Sequence, residues 1–182
     1  MIFMNKHLLV VDDNSVNIEL LLDLLDDHGF DNVHGLSDPR HVLAYCQQQL
    51  PDLILLDIRM PHIDGYAVME QLQEHFADQT PPVIVLTAQI DDDTRHRALK
   101  MGIRDFLTKP FKHDEVLQRI RNTLDVEHRY QVRDKQAETL EQMVAKRTEE
   151  LDHQSRTDPI TQLPNRRALT QLLQEAAQRG HG

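Results

Sequence analysis

Tryptophan is absent from this 182-residue chain, and aromatics make up only 4% of it, as three scattered tyrosines and five phenylalanines. Stacked recognition of single-stranded nucleic acid needs an aromatic platform, and this composition does not offer one. There is a single cysteine, Cys46, so no intramolecular disulfide can form and a reducing compartment is expected. No apolar stretch approaches the ~20 residues that cross a bilayer. Met1–Lys6 is too short, and too soon followed by acids, to be a signal peptide. Positive charge is scarce as well, with 20 Lys+Arg against 30 Asp+Glu and a formal net charge of −10. The imbalance is local. Residues 1–112 hold nine basic and eighteen acidic residues, whereas residues 113–182 hold eleven and twelve. An acidic first part argues against DNA or an anionic membrane as its partner. The cytoplasm is the expected location.

What the chain does have is a series of short apolar runs that end in polar groups. His7–Val11 runs into Asp12 and Asp13, and Asp52–Leu56 ends in Asp57, followed by Ile58-Arg59-Met60-Pro61. Pro82–Leu86 ends in Thr87, and Asp105–Thr108 leads to Lys109-Pro110. Helical signals separate these runs, which predicts βαβ units and a parallel sheet. After the first run, Asn14-Ser15 can cap a helix whose apolar positions Ile18, Leu21, Leu22 and Leu25 share one face. Its end is expected near His28-Gly29. An edge strand is expected at Asn32–Leu36, then a helix from the Asp38-Pro39 cap through about Gln49, and another from Tyr66 to about Phe76. Asp91-Asp92-Asp93 reads as dipole compensation at a helix start rather than a metal site.

In an open α/β sheet, ligands bind outside the carboxyl ends of the strands. Three carboxylates, one hydroxyl and one ammonium meeting there suit a divalent metal and a phosphoryl group. Mg²⁺ prefers oxygen ligands and retains waters and phosphate oxygens. Asp13 and Asp57 are the natural direct ligands, Asp12 can hold a coordinated water, and the Arg59 backbone carbonyl lies two residues beyond Asp57. Asp57 can attack phosphorus, while Lys109 and the Thr87 hydroxyl can steady the phosphoryl oxygens. Any one of these residues alone could be a strand-end cap. Together, each ending a different strand, they are hard to explain by capping.

This constellation closely resembles the receiver domain of two-component response regulators over about residues 5–124. The motifs are Val-Val-Asp-Asp-Asn with Asp12-Asp13, Leu-Leu-Asp-Ile-Arg-Met-Pro with Asp57, Thr87-Ala88, and Phe106-Leu107-Thr108-Lys109-Pro110-Phe111. The resemblance implies a flavodoxin-like, five-stranded parallel sheet in order 2-1-3-4-5. It implies that Asp57 is the phosphoacceptor, served by Mg²⁺, and that the phosphoryl group comes from a histidine kinase or a phosphotransfer protein. It further implies that Thr87 and Phe106 form the switch and that the Lys109–Pro110 peptide is cis. Two other classes fit less well. A haloacid-dehalogenase-type phosphatase wants a second acid two residues after its nucleophile, where this chain has Arg59. A nucleotide-binding domain wants a glycine-rich turn after the first strand, where this chain has Asp-Asp-Asn. A stand-alone receiver with a protein-interaction output is a further alternative.

From His113 the pattern changes, and neither proline nor glycine occurs until Pro159. There is room for one helix of about 40 residues, ~60 Å long. Leu117, Ile120 and Leu124 mark a packed face, after which Tyr130, Ala137, Val144 and Leu151 recur every seven residues with Leu140 between. Arg133 and Arg147 interrupt the seam, so the pattern fits a parallel two-stranded coil that makes a homodimer, not a tight zipper, with a solvated signalling helix that dimerises only when assisted as the alternative. Beyond it, Arg156–Leu169 resembles the opening of GGDEF (diguanylate cyclase) domains, departing at Ile160 and Gln162. The expected organisation is a receiver domain at 1–124, its last helix continuing as a signalling helix over 113–155, and the lead-in of a truncated GGDEF domain at 156–182. The chain reaches Gly182 before any catalytic signature of that family. It is therefore read as part of a larger cyclase, itself without cyclase activity.

Overall fold

The computed structural model describes residues 3–156 and 166–179. Five strands, β1 (Leu8–Val11), β2 (Val33–Leu36), β3 (Leu53–Asp57), β4 (Val83–Thr87) and β5 (Asp105–Thr108), form one sheet in the order β2-β1-β3-β4-β5. Every pairing is parallel, with Leu8 beside both Val33 and Leu53, Ile54 beside Val83 and Ile84 beside Asp105. The helices are α1 (Ser15–Asp27), α2 (Val42–Gln48), α3 (Gly65–Phe76), α4 (Asp92–Lys100), α5 (His113–Arg156) and α6 (Arg166–Arg179).

The continuous apolar runs are explained by burial on both faces, the usual condition of a parallel sheet. On one face Leu8, Val10, Leu53, Leu55, Ile84, Leu86 and Leu107 meet α1 through Ile18, Leu21 and Leu25. The start of α5 covers the same face with Val116, Leu117, Ile120 and Leu124. On the other face Leu9, Val11, Ile54, Leu56, Val83 and Val85 meet α2, α3 and Ala98 of α4. At the amino-terminal edge, buried His7 bonds to Asn32 Oδ1 at 3.1 Å and to the Tyr45 hydroxyl at 2.9 Å. Its backbone N–H donates to Asp52 (2.8 Å), so polar groups close this edge on one another.

One local expectation needs correction. The helix expected from Asp38-Pro39 is a 3₁₀ turn over Pro39–His41, followed by α2. Asp38 explains the tight first turn, because its carboxylate accepts from the Arg40 backbone N–H (3.0 Å) and is gripped by the Arg40 guanidinium (2.7 Å). Elsewhere the caps are as anticipated. Asn14 accepts from Val16 N–H, His28 closes α1 ahead of Gly29 at φ +83°, and Asp91 caps α4 by accepting from Thr94 N–H (2.7 Å).

The chain divides into two compact units, Met1–Arg129 and Tyr130–Gly182. The first holds the sheet. In the second, Tyr130, Leu140, Val144 and Leu151 of α5 are all more than half exposed. Leu169, Leu172 and Leu173 make an equally exposed stripe on α6. Most of the GGDEF-like stretch, 157–165, lies outside the described residues.

Candidate functional site

Four strand ends converge because the sheet is parallel and β1 lies beside β3. Asp12 and Asp13 follow β1 directly, Asp57 closes β3, Thr87 closes β4, and Lys109 follows β5. Asp12 is fully buried and Asp57 is 4% exposed, whereas Asp13 is open to solvent. One carboxylate oxygen from each of the three can lie within 4.8 Å of the others. The Lys109 ammonium bridges the two buried acids, 2.9 Å from Asp12 Oδ2 and 3.1 Å from Asp57 Oδ2.

Local backbone supplies the remaining partners. Asp12 Oδ1 accepts from the Asn14 N–H (2.9 Å) and its Oδ2 from the Asn17 side-chain amide (3.1 Å). Asp57 Oδ1 accepts from the Arg59 N–H (3.1 Å). The loop after Asp57 is held by Gly65, whose N–H donates to the Ile58 carbonyl at 2.8 Å. A Cβ at position 65 would lie 2.5 Å from the Asp57 carbonyl oxygen, so glycine is required for this approach.

Burial shapes the electrostatics. It pushes the Asp57 carboxyl up to about 6; the Lys109 ammonium opposes the rise and the Asp12 charge adds to it. For Lys109, burial favours the neutral amine, but the hydrogen bonds it donates to Asp12 and Asp57 outweigh it and hold the group above its ordinary value. One ammonium thus faces two buried carboxylates with a third nearby. That excess of hard oxygen donors suits Mg²⁺ in chemistry and number.

Thr87 is buried beside these groups, but its hydroxyl donates to the Gln89 carbonyl (2.8 Å) and accepts from the Gln89 N–H (3.2 Å). Phe106 is half-buried against the α2–α3–α4 side of the core. The Lys109–Pro110 peptide is cis, as the resemblance implied. Among the residues not anticipated, Asn17 was legible only as a helix position. Tyr66 is in sequence terms only a helix start, yet with Arg59, Thr87 and Thr94 it lines a cleft of about 580 Å³ beside the acids.

A doubly wound sheet of order 2-1-3-4-5 with this strand-end acid cluster defines a receiver-type fold. The chain matches the response regulator receiver domain over residues 8–121 and belongs to that family. It is 34% identical over 128 residues to the regulatory protein VanRc of Enterococcus gallinarum, covering 70% of this chain and 53% of that protein. It is 29% identical over 151 residues to the cyclic di-GMP phosphodiesterase response regulator RpfG of Xanthomonas campestris pv. campestris (strain 8004). That match covers 82% of this chain and 40% of RpfG. Among solved structures, it resembles the receiver domain of the sensor histidine kinase PA1611 from Pseudomonas aeruginosa PAO1. The TM-score is 0.60 at 29% identity, over 66% of this chain and 98% of that one. The PA1611 structure has a magnesium ion coordinated in its active-site cleft. The matched part of this chain spans about half or less of VanRc and RpfG. No described helix is long and apolar enough to cross a membrane.

Proposed function

We propose that Asp57 is the phosphoacceptor of a two-component response regulator, and that the signal passes through α5 to a cyclic di-GMP output domain. The observation that carries the first half is the Lys109 bridge between Asp12 and Asp57 at 2.9 and 3.1 Å. It holds an ammonium where phosphoryl oxygens would come to lie. In the reaction, an Asp57 carboxylate oxygen attacks phosphorus as the P–N bond of a phosphohistidine breaks. The bonding pair leaves with the imidazole nitrogen, which takes up a proton. Lys109 and the Thr87 hydroxyl steady the transferred group, for which Thr87 must release Gln89.

Asp13, Asp57, the Arg59 carbonyl and, through water, Asp12 are the groups we assign to Mg²⁺. When bound, the ion neutralises the carboxylates and the phosphoryl oxygens. The donor is a histidine kinase or phosphotransfer protein, and Phe106 responds as Thr87 moves. The output reading rests on the GGDEF-like residues from Arg156 and on the RpfG likeness, which runs past the receiver domain. The apolar seven-residue pattern of α5 supports a homodimer.

The test is incubation with acetyl phosphate and Mg²⁺, followed by intact mass and peptide mapping. One phosphoryl adduct on Asp57, lost in Asp57→Asn and without steady turnover of phosphate esters, is expected. A stable adduct elsewhere would overturn the assignment.

A further inference from the structure

The residue that ties the end of β3 to α4 is Tyr66, and the contacts on both sides of it are specific. Gly65 is seated on the Asp57–Ile58 backbone, with its N–H on the Ile58 carbonyl. Asp64 caps α3 by accepting from the Ala67 N–H at 2.8 Å. Tyr66, the next residue, is therefore placed by the same backbone that places Asp57. Tyr66 as a whole is 7% exposed. The hydroxyl reaches the Thr94 carbonyl in the first turn of α4 (3.4 Å), and the Arg97 guanidinium lies over the ring, 4.0 Å from its centroid.

Apart from these contacts α4 has little hold on the core. Ala98 is its only buried residue, and Leu99 on the same helix is 57% exposed. A helix that buries one methyl group has little apolar area to resist displacement. A guanidinium over a tyrosine face and a hydroxyl on a first-turn carbonyl are then substantial restraints. The cleft lined by Arg59, Tyr66, Thr87 and Thr94 leaves open space beside this contact.

We infer that Tyr66 is a positioning residue that latches α4 to the phosphoacceptor loop in the unmodified protein. The latch gives Asp57 a route to α4 through Gly65 and Tyr66, separate from the one through Thr87 and Phe106. It rests on the receiver reading only for its purpose, since the restraint exists before any phosphoryl transfer.

Hydrogen exchange on the full chain, with and without beryllofluoride and Mg²⁺, tests it. In the unmodified protein, Tyr66→Leu should speed exchange of the α4 amides, and the surface change Arg97→Gln should do so by about two- to fivefold. Exchange in β1 and β3 should stay within twofold of the parent chain. Tyr66→Phe, which keeps the ring under Arg97, should fall between. The double variant should exceed Tyr66→Leu by less than the separate effect of Arg97→Gln, because both remove one contact. Parent-like α4 exchange in Arg97→Gln would overturn the latch, and so would acceleration spread equally over the sheet. If Tyr66→Leu proves too unstable, Arg97→Gln and Tyr66→Phe decide the matter. Failure of beryllofluoride to bind the parent chain would instead remove the phosphoacceptor reading and leave the exchange comparison standing.

Discussion

Asp57 is held in a position where ionisation works against the fold. Its carboxyl is pushed up to about 6 by burial, with Lys109 opposing and Asp12 adding, whereas in the unfolded chain it would ionise near 3.8. The folded state therefore binds more protons than the unfolded state between those limits. The stability associated with protonated Asp57 is fully present below about pH 4 and is lost as pH rises through 6. A shift of this size corresponds to roughly 1–3 kcal/mol. Metal-free Asp57→Asn should accordingly be more stable than the parent chain at pH 7.5 by about that much, with the difference shrinking toward pH 4. Urea unfolding midpoints at unchanged m would measure it. Equal midpoints at pH 7.5 would refute the strain. The positions of Asp12, Asp57 and Lys109 could be read from the sequence, since each ends an apolar run and a parallel sheet must bring such ends to one edge. The bond from Thr87 to Gln89 could not be, because a hydroxyl chooses among nearby partners by loop geometry. The contacts of Tyr66 were equally hidden, since they depend on a helix 28 residues farther along the chain.

The elements that carry the site are held by buried apolar residues and aligned by short polar contacts at their ends. For α3 these are the Asp64 cap and the approach of Gly65 to the Asp57 backbone. Asp64→Ala should cost about 1 kcal/mol, the usual loss of an N-cap, and leave phosphorylation of Asp57 largely intact. Gly65→Ala has a different effect. Its new methyl meets backbone atoms, which cannot rotate away, so the end of β3 must move. It should lose about 1–3 kcal/mol and phosphorylate markedly more slowly with acetyl phosphate. Denaturation combined with rates of mass gain would separate the two, and equal phosphorylation rates would refute the coupling between Gly65 and Asp57. Helix α1 was legible because cap and periodicity agree there, and the start of α4 because three aspartates mark it. The 3₁₀ turn at Pro39–His41 was not, because it hinges on the grip of Arg40 on Asp38.

For the whole molecule, a receiver core and a long helix share one chain, and α5 takes part in both compact units. Over its first turns it is a core helix, and beyond Tyr130 it carries exposed Leu140, Val144 and Leu151. Self-association should therefore tighten when beryllofluoride and Mg²⁺ occupy the site, and Thr87→Ala should blunt that response without preventing phosphorylation. A full swing from 1:99 to 99:1 requires about 5.5 kcal/mol of differential binding. Sedimentation over a range of protein concentrations would show the change, and an association constant unmoved by the mimic would exclude it. The parallel βαβ arrangement was legible because strand and helix signals alternate, whereas the strand order followed only from the family resemblance. The sheet order has a further result, which concerns synthesis on the ribosome. Asp12 follows β1 and Asp57 closes the neighbouring β3, both early in the chain, whereas Lys109 follows Asp57 by 52 residues. At ordinary elongation rates that interval is about 3–10 s, during which the nascent chain carries the acid pair without its lysine. Charge balance at the site thus waits for the last strand to dock on the sheet edge.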